Sequence, residues 1–242
     1  MPASHIGADC PAEFRRTIVR MATALAFCMV MLASAAPALA QATPKAKAKK
    51  AVPAGPPVYA KSVPAPTLSN IAYGTYERQV LDFWKADATA PTPLVFTIHG
   101  GGWTSGEKER VDRFVDVSAL LQAGISVVAI NYRLGAFGFA GRNDVGLLDQ
   151  ITALQWVQEN VARFGGDPTN VTIFGESAGG CSVLALFAAP AARSLFARGV
   201  AMSPSIGQLR NPARADESMR LLAAELGVDN LAKAGDVSRS EE

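Results

Sequence analysis

In this 242-residue chain, Gly175-Glu176-Ser177-Ala178-Gly179 is the stretch whose residue types and spacing point most directly to chemistry. A serine with glycine two residues away on each side is the pattern of a sharp strand-to-helix turn that lifts one hydroxyl above a sheet as a nucleophile. Geometry explains the glycines. The serine takes a strained backbone conformation, and side chains two residues to either side would collide across so tight a turn. A second stretch, His99-Gly100-Gly101-Gly102-Trp103, follows the apolar run Leu94–Ile98. Consecutive glycines behind a buried strand leave backbone N–H groups uncrowded, and these can point at a developing oxyanion. In such a pairing the N–H of the residue after the nucleophile, here Ala178, completes the oxyanion hole. His99 is expected to orient the loop by hydrogen bonding, not to act as a base. For Trp103 two readings stand: lining the site, or simple packing.

These residues need elements to hold them. Val171–Phe174 is a short β-branched and aromatic run that predicts a buried strand entering the serine turn, and Ala178–Ala189, ending at Pro190, predicts a buried helix leaving it. Upstream, Ile71–Gly74 and Arg78–Trp84 read as a pair of early strands and Leu94–Ile98 as a strand covered on both faces. Val111–Gln122 has helical spacing closed by Gly124. Ser126–Ile130 is the next strand, and residues 135–141 form a glycine-rich aromatic loop over the site. Leu148, Ile151, Leu154, Trp156 and Val157 repeat near the 3.6 period and predict a long helix over Leu147–Ala162. Asp167-Pro168 turns the chain into the serine strand, Gly199–Ser203 reads as one more strand, and Ser218–Leu226 as one more helix. This alternation predicts an α/β fold, a mostly parallel sheet with helices on both faces.

The blocks Asn131-Tyr132-Arg133-Leu134-Gly135 with Phe137-Gly138-Phe139, Gly146-Leu147-Leu148-Asp149-Gln150, Ala153-Leu154-Gln155-Trp156-Val157-Gln158-Glu159-Asn160, Phe164-Gly165-Gly166-Asp167-Pro168 and Val171 through Gly180 resemble the type-B carboxylesterases of the α/β-hydrolase superfamily. The resemblance runs from about Pro93 to Ser205. Upstream, residues 73–87 look more like the hormone-sensitive-lipase branch, and the acidic cysteine motif usual in type-B enzymes is not seen. The resemblance implies ester hydrolysis of a small-molecule substrate, with Ser177 as nucleophile and Gly101, Gly102 and Ala178 as oxyanion donors. Gly100 belongs to the same loop. Glu176 becomes either a buried carboxylate near the serine or a polar group that braces the loop.

Charge and composition set the frame around this region. The net charge of +2 is misleading as a whole-chain figure. Residues 1–40 hold 3 arginines and 2 acids, residues 41–66 hold 5 lysines and no acid, and the remainder is left with 15 basic and 19 acidic residues. A mildly acidic domain offers no basic face for nucleic acid. Residues 1–40 read as an export signal: basic residues, an apolar run from Met21 to about Leu32, then Ala38-Leu39-Ala40 as the cleavage site. The run is short for a bilayer span, so no stable membrane span is expected after cleavage. The chain is therefore expected to be secreted or periplasmic. Arg15-Arg16 ahead of Ile18-Val19 is also compatible with twin-arginine export, and both routes stand. Residues 41–66 are an Ala/Lys/Pro linker, which places the domain over 67–242. Cys10 and Cys28 leave with the signal, and Cys181 remains as a small core residue.

Metal clusters, phosphate loops and dinucleotide fingerprints are absent from the sequence, so no metal or cofactor is expected. A serine hydroxyl needs a general base, and in this superfamily the order is serine, acid, histidine. The chain's two histidines are His5 and His99, and neither follows Ser177. Asp216, Asp229 and Asp236 are weak candidates for the acid. Three accounts follow: a truncated esterase ending after about the sixth strand, a non-catalytic binding or adhesion module on the hydrolase sheet, or a remnant enzyme that is completed by another chain or is a weak acyl-transfer catalyst. An open sheet edge in such a chain predicts self-association.

Overall fold

The structure, a computed structural model, describes residues 58–139, 144–208, 211–225 and 227. The expected export signal, the linker up to residue 57, and Asp229 and Asp236 lie outside these residues. Six strands form one sheet: β1 (Leu68–Ala72), β2 (Val80–Trp84), β3 (Thr92–Ile98), β4 (Ser126–Ile130), β5 (Gly166–Glu176) and β6 (Arg198–Met202). Their spatial order is β1-β2-β4-β3-β5-β6. From β4 to β6 every neighbour is parallel, and β1 and β2 add an antiparallel edge. The sheet is thus mostly parallel, as the strand and helix alternation implies.

Side chains alternate across the strands and build a core on each face. On one face Leu94, Phe96, Ile98, Val128, Ile130 and Ile173 pack with Ile151, Leu154, Val157, Val183 and Leu186. Those last residues belong to two helices, the long one at Val145–Asn160 and the helix after the serine at Ala178–Ala188. On the other face Trp84, Val127 and Ala129 pack with Val111, Val115 and Val117. Helices therefore cover both faces, and the continuous apolar runs of β3 and β4 have partners on each side.

In chain order the helices are α1 (Val117–Gln122), α2 (Gly135–Phe139), α3 (Val145–Asn160), α4 (Ala178–Ala188) and α5 (Pro212–Glu225). Two expectations are corrected in detail. The predicted helix over Val111–Gln122 is a 3₁₀ turn at Lys108–Arg113 followed by the short α1, whose N-cap Asp116 accepts the Ala119 N–H at 3.0 Å. The predicted loop from Gly135 is instead helical as α2.

The packed chain begins ahead of Thr67. Tyr59 stands edge-on to Trp84 with ring centroids 5.3 Å apart, Val63 is buried, and the Trp84 indole N–H donates to Pro64 O at 2.8 Å. A single tyrosine and valine among alanines, lysines and prolines give no periodic signal, so composition alone reads this stretch as linker. At the far side of the sheet β6 is the edge strand among the described residues, with Val200 48% and Met202 38% exposed. No helix among the described residues is long and apolar enough to cross a membrane.

Candidate active site

Parallel pairing of β3 with β5 places Ile98 opposite Gly175, so the glycine loop and the serine turn leave the same end of the sheet side by side. This is where open α/β sheets place their sites, beyond the carboxyl ends of the strands. Ser177 has φ 55° and ψ −116°, a sparsely populated conformation for a residue with a side chain. A Cβ on Gly175 would lie 2.3 Å from Gly179 O, and one on Gly179 would lie 2.1 Å from Ile98 O. Both obstacles are backbone atoms that cannot swing aside, which is why glycine occupies these positions.

Ser177 is held by the segment that follows β6. Its N–H donates to Met202 O at 2.9 Å, its carbonyl accepts the Ser205 N–H at 3.4 Å, and its Oγ lies 3.1 Å from Ser205 Oγ. Ala178 opens α4, where the first N–H groups of a helix lack intrahelical acceptors.

The glycine loop lies against this turn. A Cβ on Gly100 would be 2.7 Å from Glu176 O and 3.4 Å from Ser177 Cβ. Gly101 and Gly102 have φ +106° and +64°, and among the described residues no acceptor takes either N–H. Two uncommitted donors thus stand near a strained serine.

His99 is committed elsewhere. Its ring stacks on Tyr132 with centroids 4.4 Å apart, and its Nδ1–H donates to Gly100 O at 2.9 Å. Nε2 is buried and has no partner among the described residues. Burial pushes the imidazole down to about 4, so the ring is neutral near pH 7. A ring so weakly basic, with no bond to Ser177, is not placed as its base.

The other candidates separate. Glu176 pairs through its backbone with Met202, and its carboxylate lies beside Gly100 at the wall of an open pocket of about 190 Å³ that also touches His99, Gly101, Arg110 and Arg113. Trp103 packs on Phe139 at 5.6 Å and donates its indole N–H to Ser182 Oγ at 3.2 Å. Cys181 is buried. Among the described residues no group of three or more His, Cys, Asp or Glu could hold a metal ion.

Several supports escaped the sequence reading. The Tyr132 hydroxyl donates to His99 O at 2.6 Å, and Arg78 donates to Tyr132 O at 3.0 Å and to Gly106 O at 2.8 Å. Farther along, Lys108 is buried against Asp82 at 2.7 Å, with Glu109 and the Tyr59 hydroxyl on the same cluster. Asp149 accepts from both Arg133 Nε and Nη2, at 2.8 and 2.6 Å, and from Gln79 at 2.7 Å, which fixes the turn after Tyr132. Tyr132 and Asp149 lie in blocks that carry the resemblance, and that was their only signal. Arg78 and Ser205 had none.

Strand order, the serine turn and the glycine loop together define an α/β-hydrolase fold. The carboxylesterase family model matches residues 79–239, and the chain belongs to that family. It is 38% identical over 187 residues to a para-nitrobenzyl esterase of Bacillus subtilis, an alignment covering 71% of this chain and 38% of the relative. It is 43% identical over 142 residues to a liver carboxylesterase of Sus scrofa, covering 56% and 24% respectively. Among solved structures, a carboxylesterase of Geobacillus stearothermophilus superposes with a TM-score of 0.58 at 36% identity, covering 62% of this chain and 34% of that one. The chain therefore spans well under half the length of these relatives.

Proposed function

We propose that this chain serves carboxylic ester hydrolysis, with Ser177 as the nucleophile. Ser177 Oγ adds to the ester carbonyl carbon, and the carbonyl oxygen, now negative, takes the N–H groups of Gly101, Gly102 and Ala178. Collapse expels the alcohol and leaves an acyl-serine that water cleaves. The observation that carries this reading is the pair of uncommitted Gly101 and Gly102 N–H groups in the loop whose Gly100 abuts a serine at φ 55°. The proton on Ser177 passes to a general base other than His99, which returns it to the departing alkoxide. A second reading, an ester-binding module without turnover, draws on the Ser177 hydroxyl being bonded to Ser205 and not to a histidine.

The test is release of p-nitrophenol from short acyl esters by the chain and its Ser177→Ala variant. Acylation by the wild type that the variant loses supports the first reading. Equal ester binding by both, with no turnover in either, supports the second. The same proposal includes export with cleavage after Ala40, which N-terminal sequencing of the mature protein checks. It also includes self-association through the β6 edge, which sedimentation of wild type against a Val200→Lys variant checks.

A further inference from the structure

We propose that Ser205 is a positioning residue for the nucleophile, a role that rests on Ser177 being that nucleophile. The Ser177 Oγ to Ser205 Oγ separation is 3.1 Å, within hydroxyl hydrogen-bond range. The contact is not isolated. Met202 O accepts the Ser177 N–H at 2.9 Å, and the Ser205 N–H reaches Ser177 O at 3.4 Å, so residues 202–205 grip the serine by both backbone groups and the side chain. Immediately after β6, Ser203 has φ 44°, a left-handed residue in the segment that contacts the serine turn. The first turn of α4 closes in from the other side, where a Cβ on Gly180 would lie 2.8 Å from Met202 O.

A serine χ1 has three staggered wells of similar energy, and a free hydroxymethyl group samples them. The Ser205 hydroxyl selects one. Ser177 Oγ is then held in a single rotamer before substrate arrives, and the reaction does not have to fix it. Ser205 touches no substrate in this scheme and acts only through Ser177.

The experiment measures how fast a fluorophosphonate probe phosphonylates Ser177 in wild type, Ser205→Ala and Ser205→Thr, separating the maximal rate from the probe's half-saturation concentration. Alanine removes the hydroxyl and keeps the backbone N–H, while threonine keeps both. The expected result for alanine is about a tenfold fall in maximal rate, the scale of one neutral hydrogen bond of about 1.4 kcal/mol, with half-saturation unchanged. Threonine should restore most of the loss. Alanine at wild-type rate, or threonine as slow as alanine, overturns the proposal. Absence of labelling in wild type speaks against the nucleophile reading instead. The contact is then read from the three-bond Ser177 Hα–Hβ couplings in serine-labelled protein: one rotamer in wild type and threonine but averaging in alanine supports the role, and one rotamer in all three contradicts it.

Discussion

The serine turn and the glycine loop stand side by side but are stabilised by different means. The turn is held by backbone contacts: a Cβ at Gly175 or Gly179 would strike a carbonyl oxygen at 2.3 or 2.1 Å, and residues 202–205 clamp Ser177. The loop has such collisions too, a Cβ at Gly101 lying 2.2 Å from Ser105 O and one at Gly106 2.5 Å from Gly100 O, but it also depends on side chains reaching in from elsewhere, with Tyr132 on His99 O, Arg78 on Gly106 O, and Lys108 anchored to Asp82 behind it. A structure built by backbone exclusion tolerates almost no substitution. One built by side-chain hydrogen bonds should loosen by degrees.

The largest effect expected from this contrast falls on the turn. Gly179→Val places atoms where Ile98 O already lies, and we expect a loss of more than about 3 kcal/mol or failure to fold, read from a urea melt. A variant within about 1 kcal/mol of wild type would erase the distinction.

Next is the loop's rear anchor. Lys108→Met leaves Asp82 buried without its cation, which should cost about 3–5 kcal/mol near pH 7. Burial already pushes the Asp82 carboxyl up, against its hydrogen bond to Lys108. A carboxyl raised in the folded state takes up its proton above the ordinary aspartate range, so the variant's deficit should shrink as pH falls toward that range and level off below it. Paired melts across pH check this.

His99 gives a pH dependence of opposite sign. An imidazole pushed down to about 4 in the fold, against 6.5 in the unfolded chain, takes up protons on unfolding between those values. Stability should therefore fall by up to about 3 kcal/mol from pH 6.5 to 4. His99→Phe should lose that slope while keeping the stack on Tyr132, and an unchanged slope would show that the ring is solvated.

The smallest effect belongs to Tyr132→Phe, which removes one hydrogen bond to His99 O and should cost about 1–2 kcal/mol. Amide exchange should accelerate through residues 99–106 and not through 175–179. Equal acceleration in both would mean that loop and turn open as one unit.

The same contrast explains what was legible in the sequence. Gly175 and Gly179 are each required by a collision within a few residues or against a neighbouring strand end, and they bracket Ser177, so residue type and spacing announce the turn. Strands β3, β4 and β6 were readable within two residues because apolar runs carry their own signal. Arg78, Lys108 and Ser205 work across sequence separations of 28, 26 and 28 residues, and nothing local distinguishes an arginine that spans two carbonyls from one in water. Tyr59 and Val63 were hidden in the same way, since their meaning comes only from Trp84 beneath them. The helix expected over Val111–Gln122 broke because Lys108 and Val111 turn inward as a 3₁₀ segment before Asp116 caps a new start.

Where a fluorophosphonate attaches tests Ser177 as the nucleophile most directly. Peptide mapping of the labelled chain should find one adduct, on the peptide containing Ser177, and none in Ser177→Ala. An adduct on another residue, or one that persists in Ser177→Ala, would contradict it.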